Sequence, residues 1–128
     1  MSRVNVIVDA ASGQIAAYVT LSAAQIERGF LPKPLQRDQP DPVPATLLGQ
    51  LAVHHAFQGQ GHAASLLLFA LRTALRASER IGSMGVMTHP LDDGLRGFYG
   101  RWGFQDLPFD PRRAMFVRMV DLHANLAV

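Results

Sequence analysis

The amino-acid sequence predicts a single mixed α/β (α+β) domain organised around a β-α-β unit. The chain has 128 residues, enough for one hydrophobic core and too few for two. A largely apolar run from Leu47 to Val53 is typical of a buried strand, and from Ala63 to Ile81 the apolar residues recur at helical spacing. A second short apolar run, Met84–His89, predicts a strand parallel to the first.

An antiparallel hairpin is predicted ahead of this unit. Val4–Asp9 and Gln14–Ser22 are short runs of apolar and β-branched residues, and Ala11–Gly13 between them is typical of a turn. The hairpin starts close to Met1, so that nothing precedes it to cover the outer edge of its first strand. We therefore expect residues 1–128 to form one domain that has lost N-terminal elements.

The segment Ala23–Ala45 is predicted to be a flap beside the functional site. It holds five of the eight prolines and shows little periodicity apart from one candidate helical turn at Ala23–Arg28. A disordered connector is an equally good interpretation of the same composition.

Two elements are predicted after the β-α-β unit. Pro90 stops the second strand, and a helix over Gly94–Trp102 follows, with Asp92 or Asp93 as its N-cap. An extended segment begins at Phe104, and Ala114–Leu122 is expected to be the last strand.

The composition excludes several functional classes. The chain has no cysteine, which rules out disulfides, a thiolate zinc site and a cysteine nucleophile, and we expect no metal ligands. No apolar run is long enough to cross a membrane and no secretory signal is visible, so we expect a cytoplasmic protein. The net charge of +2 is a poor argument for nucleic acid. Six cations could nevertheless share one rim: Arg28, Lys33, Arg37, Arg101, Arg112 and Arg113.

The loop His54–His62 is a candidate anion site. Gly59 and Gly61 lie at the junction of strand and helix, where backbone N–H groups of the first helical turn are unpaired and the helix dipole favours negative charge. We expect the N–H groups of residues 60–64 to receive a phosphate without a cationic side chain. The same glycines could also serve only a tight turn.

Two motifs, in this order, resemble those of the GCN5-related N-acetyltransferases (GNAT). Gln58-x-x-Gly61-x-Ala63 resembles the pyrophosphate-binding pattern of that superfamily. Leu95-Arg-Gly-Phe-Tyr-Gly-Arg-Trp-Gly-Phe104 resembles its Phe-Tyr-x-x-x-Gly-Phe segment, with Trp102 where Phe or Leu is commoner. The resemblance covers Val4–Leu122 and implies a mostly antiparallel mixed sheet, with the β-α-β unit at its centre and helices on both faces.

The resemblance also implies binding of acetyl-CoA. The strand is expected to be splayed from its neighbour at Leu51–Val53, so that its backbone pairs with the pantetheine arm. Tyr99 is the predicted catalytic residue, because a phenol can hydrogen-bond or protonate the departing thiolate, although an aromatic residue at helical spacing is also typical of a core. The residues predicted to bind the cofactor are Leu51, Ala52, Val53, Gln58, Gly59, Gln60, Gly61, His62, Ala63, Ala64 and Phe98, the last of which is also expected to pack in the core.

The acceptor is expected to be a primary amine. The run Leu47–Val53 and the flap are most similar to toxin-type acetyltransferases, which modify the α-amino group of aminoacyl-tRNA and pair with an antitoxin, although those toxins usually have Arg in place of Gln50. No convincing general base is visible, and only His54 and His55 are candidates. An α-amine, with a pKa near ~7.7, loses its proton more easily than a lysine near ~10.4, so it depends less on a general base. The alternatives are acetylation of a small-molecule amine, protein N-terminus or lysine, and a non-catalytic domain that binds coenzyme A or a partner.

A homodimer is a further expectation. Leu68 and Phe69 fall toward the polar face of the predicted helix, which indicates that another subunit, a partner chain or an absent part of the fold covers them, although an exposed pair is also ordinary on a protein surface. The uncovered edge of the first strand favours the same conclusion.

Overall fold

The computed structural model describes residues 3–126, without the side chains of residues 79–81. The strands are β1 (Arg3–Val8), β2 (Ile15–Ile26), β3 (Val43–Val53), β4 (Gly85–Thr88), β5 (Gln105–Asp106) and β6 (Met115–Arg118). The helices are α1 (Lys33–Gln36), α2 (His62–Ile81), α3 (Asp93–Arg101) and α4 (Met119–Leu126), with 3₁₀ turns at Arg28–Phe30 and His55–Phe57. No helix in the described range is both long and apolar enough to span a bilayer.

The six strands form one sheet in the order β1-β2-β3-β4-β6-β5. Only β3 and β4 run parallel, joined by α2, and all other neighbours are antiparallel. The predicted fold class is therefore confirmed, including the parallel pairing inside the β-α-β unit. The predicted hairpin is confirmed as β1 and β2, whose turn is held by the Asp9 carboxylate accepting from the Ser12 backbone N–H at 2.9 Å.

A β-bulge interrupts the pairing of β2 with β3. Val19 pairs with Leu51 and Leu21 with Leu48, so that Gly49 and Gln50 together oppose Thr20. The Gln50 N–H donates to the Thr20 hydroxyl at 2.9 Å, and a Cβ on residue 49 would lie 2.6 Å from the same oxygen. Glycine fits here because the Thr20 hydroxyl occupies the space that a Cβ would need, and a bulge of this kind bends the strand that carries it.

The two faces of the sheet carry separate cores. The first core lies against α2, α3 and α4 and includes Val19, Leu48, Leu67, Leu71, Val86, Tyr99 and Leu122. The second lies under the flap and includes Ile26, Leu31, Val43, Met87, Leu107 and Phe116. Three helices thus cover one face, and short helical turns cover part of the other.

The flap is shorter and better packed than the sequence predicts. The candidate helical turn at Ala23–Arg28 is wrong over most of its length, because Ala23 through Ile26 continue β2 and pair with Thr46 through Val43. The connection is therefore residues 27–42, with its helical turns at Arg28–Phe30 and Lys33–Gln36. Leu31 is only 2% exposed, so the segment is docked on the second core. A disordered connector is excluded.

The last predicted strand is also wrong in its second half. Residues 114–122 were expected to be extended, but β6 ends at Arg118 and α4 begins at Met119. Met119 and Leu122, three residues apart, are buried on one side of α4, and Arg118 pairs with Asp121 at 3.0 Å across the helix start. Packing of Met119 and Leu122 against the first core favours a helix over a longer strand.

The remaining boundaries agree with the sequence to within a few residues. β3 begins four residues before the predicted Leu47, and α2 begins at His62 and ends at a left-handed Gly82, the predicted C-cap residue. On α2, Leu68 is half-buried and the side chain of Phe69 is 47% exposed.

Candidate functional site

The parallel strands β3 and β4 separate shortly after they meet. Their pairing consists of Thr46, Leu47 and Leu48 opposite Val86, Met87 and Thr88. Two causes act together: the bulge at residues 49–50 bends β3, and Pro90 lacks the N–H needed to extend β4. Within residues 3–126, Gly49–Val53 lie against β2 only, so the edge of β3 toward β4 keeps free backbone groups. The splayed strand predicted at Leu51–Val53 is present and starts at residue 49.

The N-terminus of α2 lies beside this free edge. Gly59 and Gly61 adopt φ of 80° and 82°, and Gly61 is an N-cap without a side-chain hydrogen bond. Among the described residues, no acceptor is found for the backbone N–H groups of positions 59–64. The first turn of α2 carries no acidic residue, whereas α3 begins with the Asp92 carboxylate accepting from the Leu95 N–H at 2.8 Å. The start of α2 therefore favours an external anion.

The free strand edge and the helix start share one open groove of about 290 Å³. It is lined by Leu51, Val53, Phe57, Gln58, Gly59, Gly61, His62, Ala63 and Leu95. An amide-bearing chain fits along the strand edge, and a phosphate fits at the free N–H groups. These are the chemical parts of coenzyme A that a protein can bind through its backbone.

Seven of the eleven predicted cofactor residues line the groove. The other four, Ala52, Gln60, Ala64 and Phe98, do not line it. Ala52 pairs with Tyr18, and its side chain belongs to the other face of the strand from Leu51 and Val53. Phe98 is half-buried against the first core. Binding by all eleven residues stays a prediction, and for residues 60 and 64 it concerns the backbone N–H groups.

Phe57 and Leu95 are groove residues that the sequence reasoning missed. Phe57 belongs to the 3₁₀ turn His55–Phe57 and makes an edge contact with His62, with ring centroids 6.4 Å apart. Leu95 starts α3 across the groove. Leu95 and Tyr99 are four residues apart and therefore share one side of α3, a spacing visible in the sequence.

The two histidines at the end of β3 have structural roles or exposed positions. The His54 imidazole Nδ1 accepts from the Ala56 N–H at 3.2 Å and so caps the 3₁₀ turn. His55 is exposed and stacks on His54, with centroids 4.5 Å apart. The Gln58 amide donates to the Val53 carbonyl at 3.3 Å, which fixes the end of β3. Neither histidine is placed as a proton acceptor for chemistry at the strand junction.

Tyr99 is a buried residue at the junction where β3 and β4 separate. It is 3% exposed and packs on Phe104, with ring centroids 5.2 Å apart. Burial raises the pKa of the Tyr99 phenol above its usual value, and a hydrogen bond with Thr88 lowers that pKa by a smaller amount. The phenol is therefore protonated at neutral pH, as a proton donor must be. The ring of Tyr99 therefore packs as a core aromatic, and its hydroxyl is a polar group at the junction of β3 and β4.

His89 is a candidate functional residue that the sequence reasoning treated only as strand. It directly follows β4, and its imidazole Nδ1 is buried without a hydrogen-bond partner in the described part of the chain. Burial lowers the pKa of His89, as does the nearby Arg112, while Asp110 opposes them. Its position at the carboxyl end of a parallel strand, where functional residues collect, was the available signal.

A groove that fits an amide-bearing chain and a phosphate, lined by Leu95 of the same helix that carries the buried Tyr99, is typical of the class of coenzyme A-dependent acyltransferases. The chain belongs to the acetyltransferase (GNAT) family, whose model matches residues 3–104.

The most informative relatives are tRNA-modifying toxins. The chain is 32% identical over 105 residues to a tRNA-acetylating toxin of Mycobacterium tuberculosis (strain ATCC 25618 / H37Rv), covering 82% of this chain and 63% of that protein. It is similar to AtaT complexed with acetyl-methionyl-tRNAfMet, at a TM-score of 0.88 and 28% identity over 98% of this chain and 75% of AtaT. It is also similar to a tyrosine-to-phenylalanine variant of AtaT bound to the C-terminus of the antitoxin AtaR and acetyl-CoA, at a TM-score of 0.73 and 25% identity over 90% of this chain and 66% of that one.

Replacing Gly61 by Ala tests the anion site. The expected result is weaker binding of coenzyme A by about tenfold to a hundredfold, since one charge-assisted hydrogen bond is worth roughly 1.5–3 kcal/mol. G13A is a matched control, because Gly13 has a φ of 74° and, like Gly61, no atom within 4 Å of the position that a Cβ would take, but lies in the hairpin turn. Calorimetric titration with coenzyme A measures both; equal loss of affinity in the two variants would exclude the site.

The half-buried His89, whose Nδ1 atom is buried, predicts a pH-dependent stability. Its lowered folded-state pKa means that below about 6.5 the unfolded chain binds a proton that the folded chain does not, so stability falls as pH drops through that value. The loss of stability reaches its full size once the pH is also below the folded-state pKa of His89. The H89N variant should show a smaller loss of melting temperature between neutral and mildly acidic pH than the parent. H123N, which removes an exposed imidazole from α4, is the control, and identical pH profiles for H89N and parent would contradict the expectation.

Proposed function

We propose that the chain carries an acetyl-CoA-dependent N-acetyltransferase activity that transfers acetyl to the α-amino group of aminoacyl-tRNA, as a toxin controlled by an antitoxin. The observation that carries the proposal is the groove in which the free edge of β3 meets the uncapped start of α2. The relatives supply the acceptor: one acetylates tRNA, and another is complexed with an acetylated aminoacyl-tRNA.

The proposed cofactor position follows from the polarity of the groove. The pyrophosphate of acetyl-CoA binds the N–H groups at positions 59–64, and the pantetheine amides pair with the free edge of residues 49–53. This direction brings the thioester to the point where β3 and β4 separate. Tyr99 is then our candidate to donate a proton to the sulfur that leaves.

The acceptor side favours an amine that is already partly unprotonated. An α-amine is neutral at much lower cost than a lysine, by about three pKa units, so it needs only a weak base. His89 is our candidate for that base, because its lowered pKa keeps the imidazole neutral and its Nδ1 has no protein partner among the described residues. Arg112, which is exposed beside it, supplies positive charge for a phosphate backbone.

The Y99F variant tests the chemical role of Tyr99. Loss of the phenolic proton should lower the turnover of charged-tRNA acetylation by about a hundredfold, within the range for general acid catalysis, with unchanged affinity for acetyl-CoA. Y18F is the matched control, since Tyr18 is half-buried on the hairpin and pairs with Ala52. Unchanged turnover in Y99F would remove Tyr99 from the mechanism.

The same assay separates the alternatives for the acceptor. Turnover with a polyamine, a lysine peptide or a protein N-terminus, and none with charged tRNA, would reassign the chain to an ordinary amine acetyltransferase. Binding of acetyl-CoA without turnover on any amine would indicate a non-catalytic cofactor-binding domain. Either outcome overturns the tRNA proposal while leaving the family assignment intact.

The proposal also includes a cytoplasmic location and a homodimer. The dimer is supported by the exposed Phe69 on α2 and by Val4, Val6 and Val8, which are 63%, 45% and 52% exposed on β1. Sedimentation of the purified chain should show a dimer, and the F69S variant should shift it toward the monomer. A parent chain that stays monomeric at high micromolar concentration would contradict the dimer.

A further inference from the structure

An ordered turn, residues 107–114, lies at the end of the sheet where β3 and β4 separate. It joins β5 to β6, and Met115, the first residue of β6, pairs with both Asp106 of β5 and Thr88, the last residue of β4. Thr88 is also the last residue of β4 that pairs with β3. Both end residues of the turn are buried in the second core, on the side of the sheet that carries the flap. The turn is therefore next to the junction of β3 and β4.

A buried carboxylate fixes the turn from inside. Asp110 is 8% exposed, and its two oxygens accept from two backbone N–H groups of the turn, each at 3.0 Å. From outside, the guanidinium of Arg96 on α3 donates to the Arg113 carbonyl. Two prolines, Pro108 and Pro111, restrict the backbone further. The turn thus holds its side chains in place before any ligand binds, which lowers the ordering cost of binding.

The turn exposes an aromatic ring and a free positive charge. Phe109 is 50% exposed, although burial of an aromatic ring is strongly favourable. Arg112 and Arg113 are exposed as well. The guanidinium of Arg113 lies 3.8 Å from the Asp106 carboxylate, whereas Arg112 forms no ion pair among the described side chains. Phe109 and Arg112 are three residues apart, a span of at most about 11 Å, so one ligand can contact both.

We propose that Phe109 and Arg112 form a subsite for the unpaired 3′ end of the acceptor RNA, in which a base stacks on the Phe109 ring and a phosphate pairs with Arg112. This inference rests on the proposed function, because it takes aminoacyl-tRNA as the acceptor. The part of the RNA that the chain recognises is then its single-stranded end, and Phe109 is the residue that contacts a base.

An unpaired RNA end has the chemical groups that this surface can bind. Bases outside a duplex expose their faces, and proteins bind them by stacking on aromatic rings while cations contact the phosphates. In an aminoacyl-tRNA the amino acid is esterified to the ribose of the last nucleotide, so the amine is covalently close to the last bases. A subsite next to the end of β4 therefore holds the RNA where its amine can reach the junction of β3 and β4.

An acidic protein segment is the alternative partner for a free arginine. A carboxylate gains little from the exposed ring beside that arginine, because the face of an aromatic ring carries negative partial charge. The flat apolar face of a base, in contrast, gains stacking energy from the same ring. The combination of Phe109 with Arg112 therefore favours RNA over an acidic peptide.

Substitution of Phe109 tests the stacking contact. F109A should raise the KM for charged tRNA by about tenfold to a hundredfold, the loss expected for one base–aromatic stack, with unchanged kcat and unchanged KM for acetyl-CoA. F109W keeps a stacking surface and should restore the affinity, whereas F109L keeps apolar area without a ring and should not. V120A is the matched control, because Val120 is 62% exposed on α4, beyond the opposite end of β6.

Substitution of Arg112 tests the phosphate contact. R112Q should weaken RNA binding and lower the slope of log affinity against log salt concentration by about one, since one phosphate contact is lost. R3Q is the control, because Arg3 is exposed on β1, at the other edge of the sheet. An unchanged salt slope in R112Q would exclude the phosphate contact.

Binding of uncharged RNA separates this inference from the proposed function. Fluorescence anisotropy with a labelled single-stranded RNA ending in CCA should show tight binding to the parent and weaker binding to F109A, while a blunt duplex should bind both equally. Equal affinity of parent and F109A for the single strand, or equal losses in F109A and V120A, would overturn the subsite. Loss of antitoxin binding in F109A with RNA binding intact would also overturn it. The measurement requires no turnover, so a chain that binds the single strand through Phe109 but acetylates no charged tRNA would contradict the proposed function alone.

Discussion

The β-bulge in β3 is the constraint on which the rest of the site depends. Two residues, Gly49 and Gln50, oppose the single Thr20, and the hydroxyl of Thr20 fills the space that a side chain on residue 49 would need. The strand therefore bends at the point where its parallel pairing with β4 stops. A regular strand would have continued the ladder and closed the groove. One glycine and one hydroxyl on the neighbouring strand thus help to create the free edge of β3, together with Pro90 at the end of β4.

The groove combines two sets of unpaired backbone groups, one on the edge of β3 and one at the start of α2. Elsewhere in the fold such groups are hydrogen-bonded within the protein. Residues 49–53 are exposed or half-buried, so water can bond their free groups and a ligand replaces that water at small cost. The start of α2 is uncapped and free of acidic residues, while α3 is capped by Asp92 and carries Asp93 in its first turn. This difference between two helices on the same face of the sheet singles out α2 as the helix whose start is open to an external anion.

Much of this arrangement could be predicted from the sequence, because it depends on local signals. The change of apolar period, the two glycines of the loop and the Phe98-Tyr99 pair identified the β-α-β unit, the helix start and the proposed proton donor. The sequence did not reveal the bulge, since Gly49 in an apolar run has no local signature and its partner Thr20 is distant in the chain. The flap and the last strand were misjudged for a similar reason. Pairing of residues 23–26 with 43–46 and burial of Met119 and Leu122 are long-range effects that local preference does not contain.

The end of β4 explains how a site with two substrates can be built from adjacent residues. Successive side chains of a strand point to opposite faces, so Thr88 lies on the side of the first core while the next residue, His89, lies on the side of Asp110 and Arg112. The turn that carries these two charges is fixed by the Asp110 carboxylate, which accepts from the Ala114 N–H at 3.0 Å at the edge of the second core. Under the proposed function, acetyl-CoA reaches the junction from the side of α2 and α3, and the amine reaches it from the side of the flap. Pro90 ends the strand one residue after His89, so both side chains lie at the point where the two faces communicate through the opening between β3 and β4. With the roles proposed for Tyr99 and His89, proton donation to the sulfur and proton removal from the amine would occur on separate faces of the sheet.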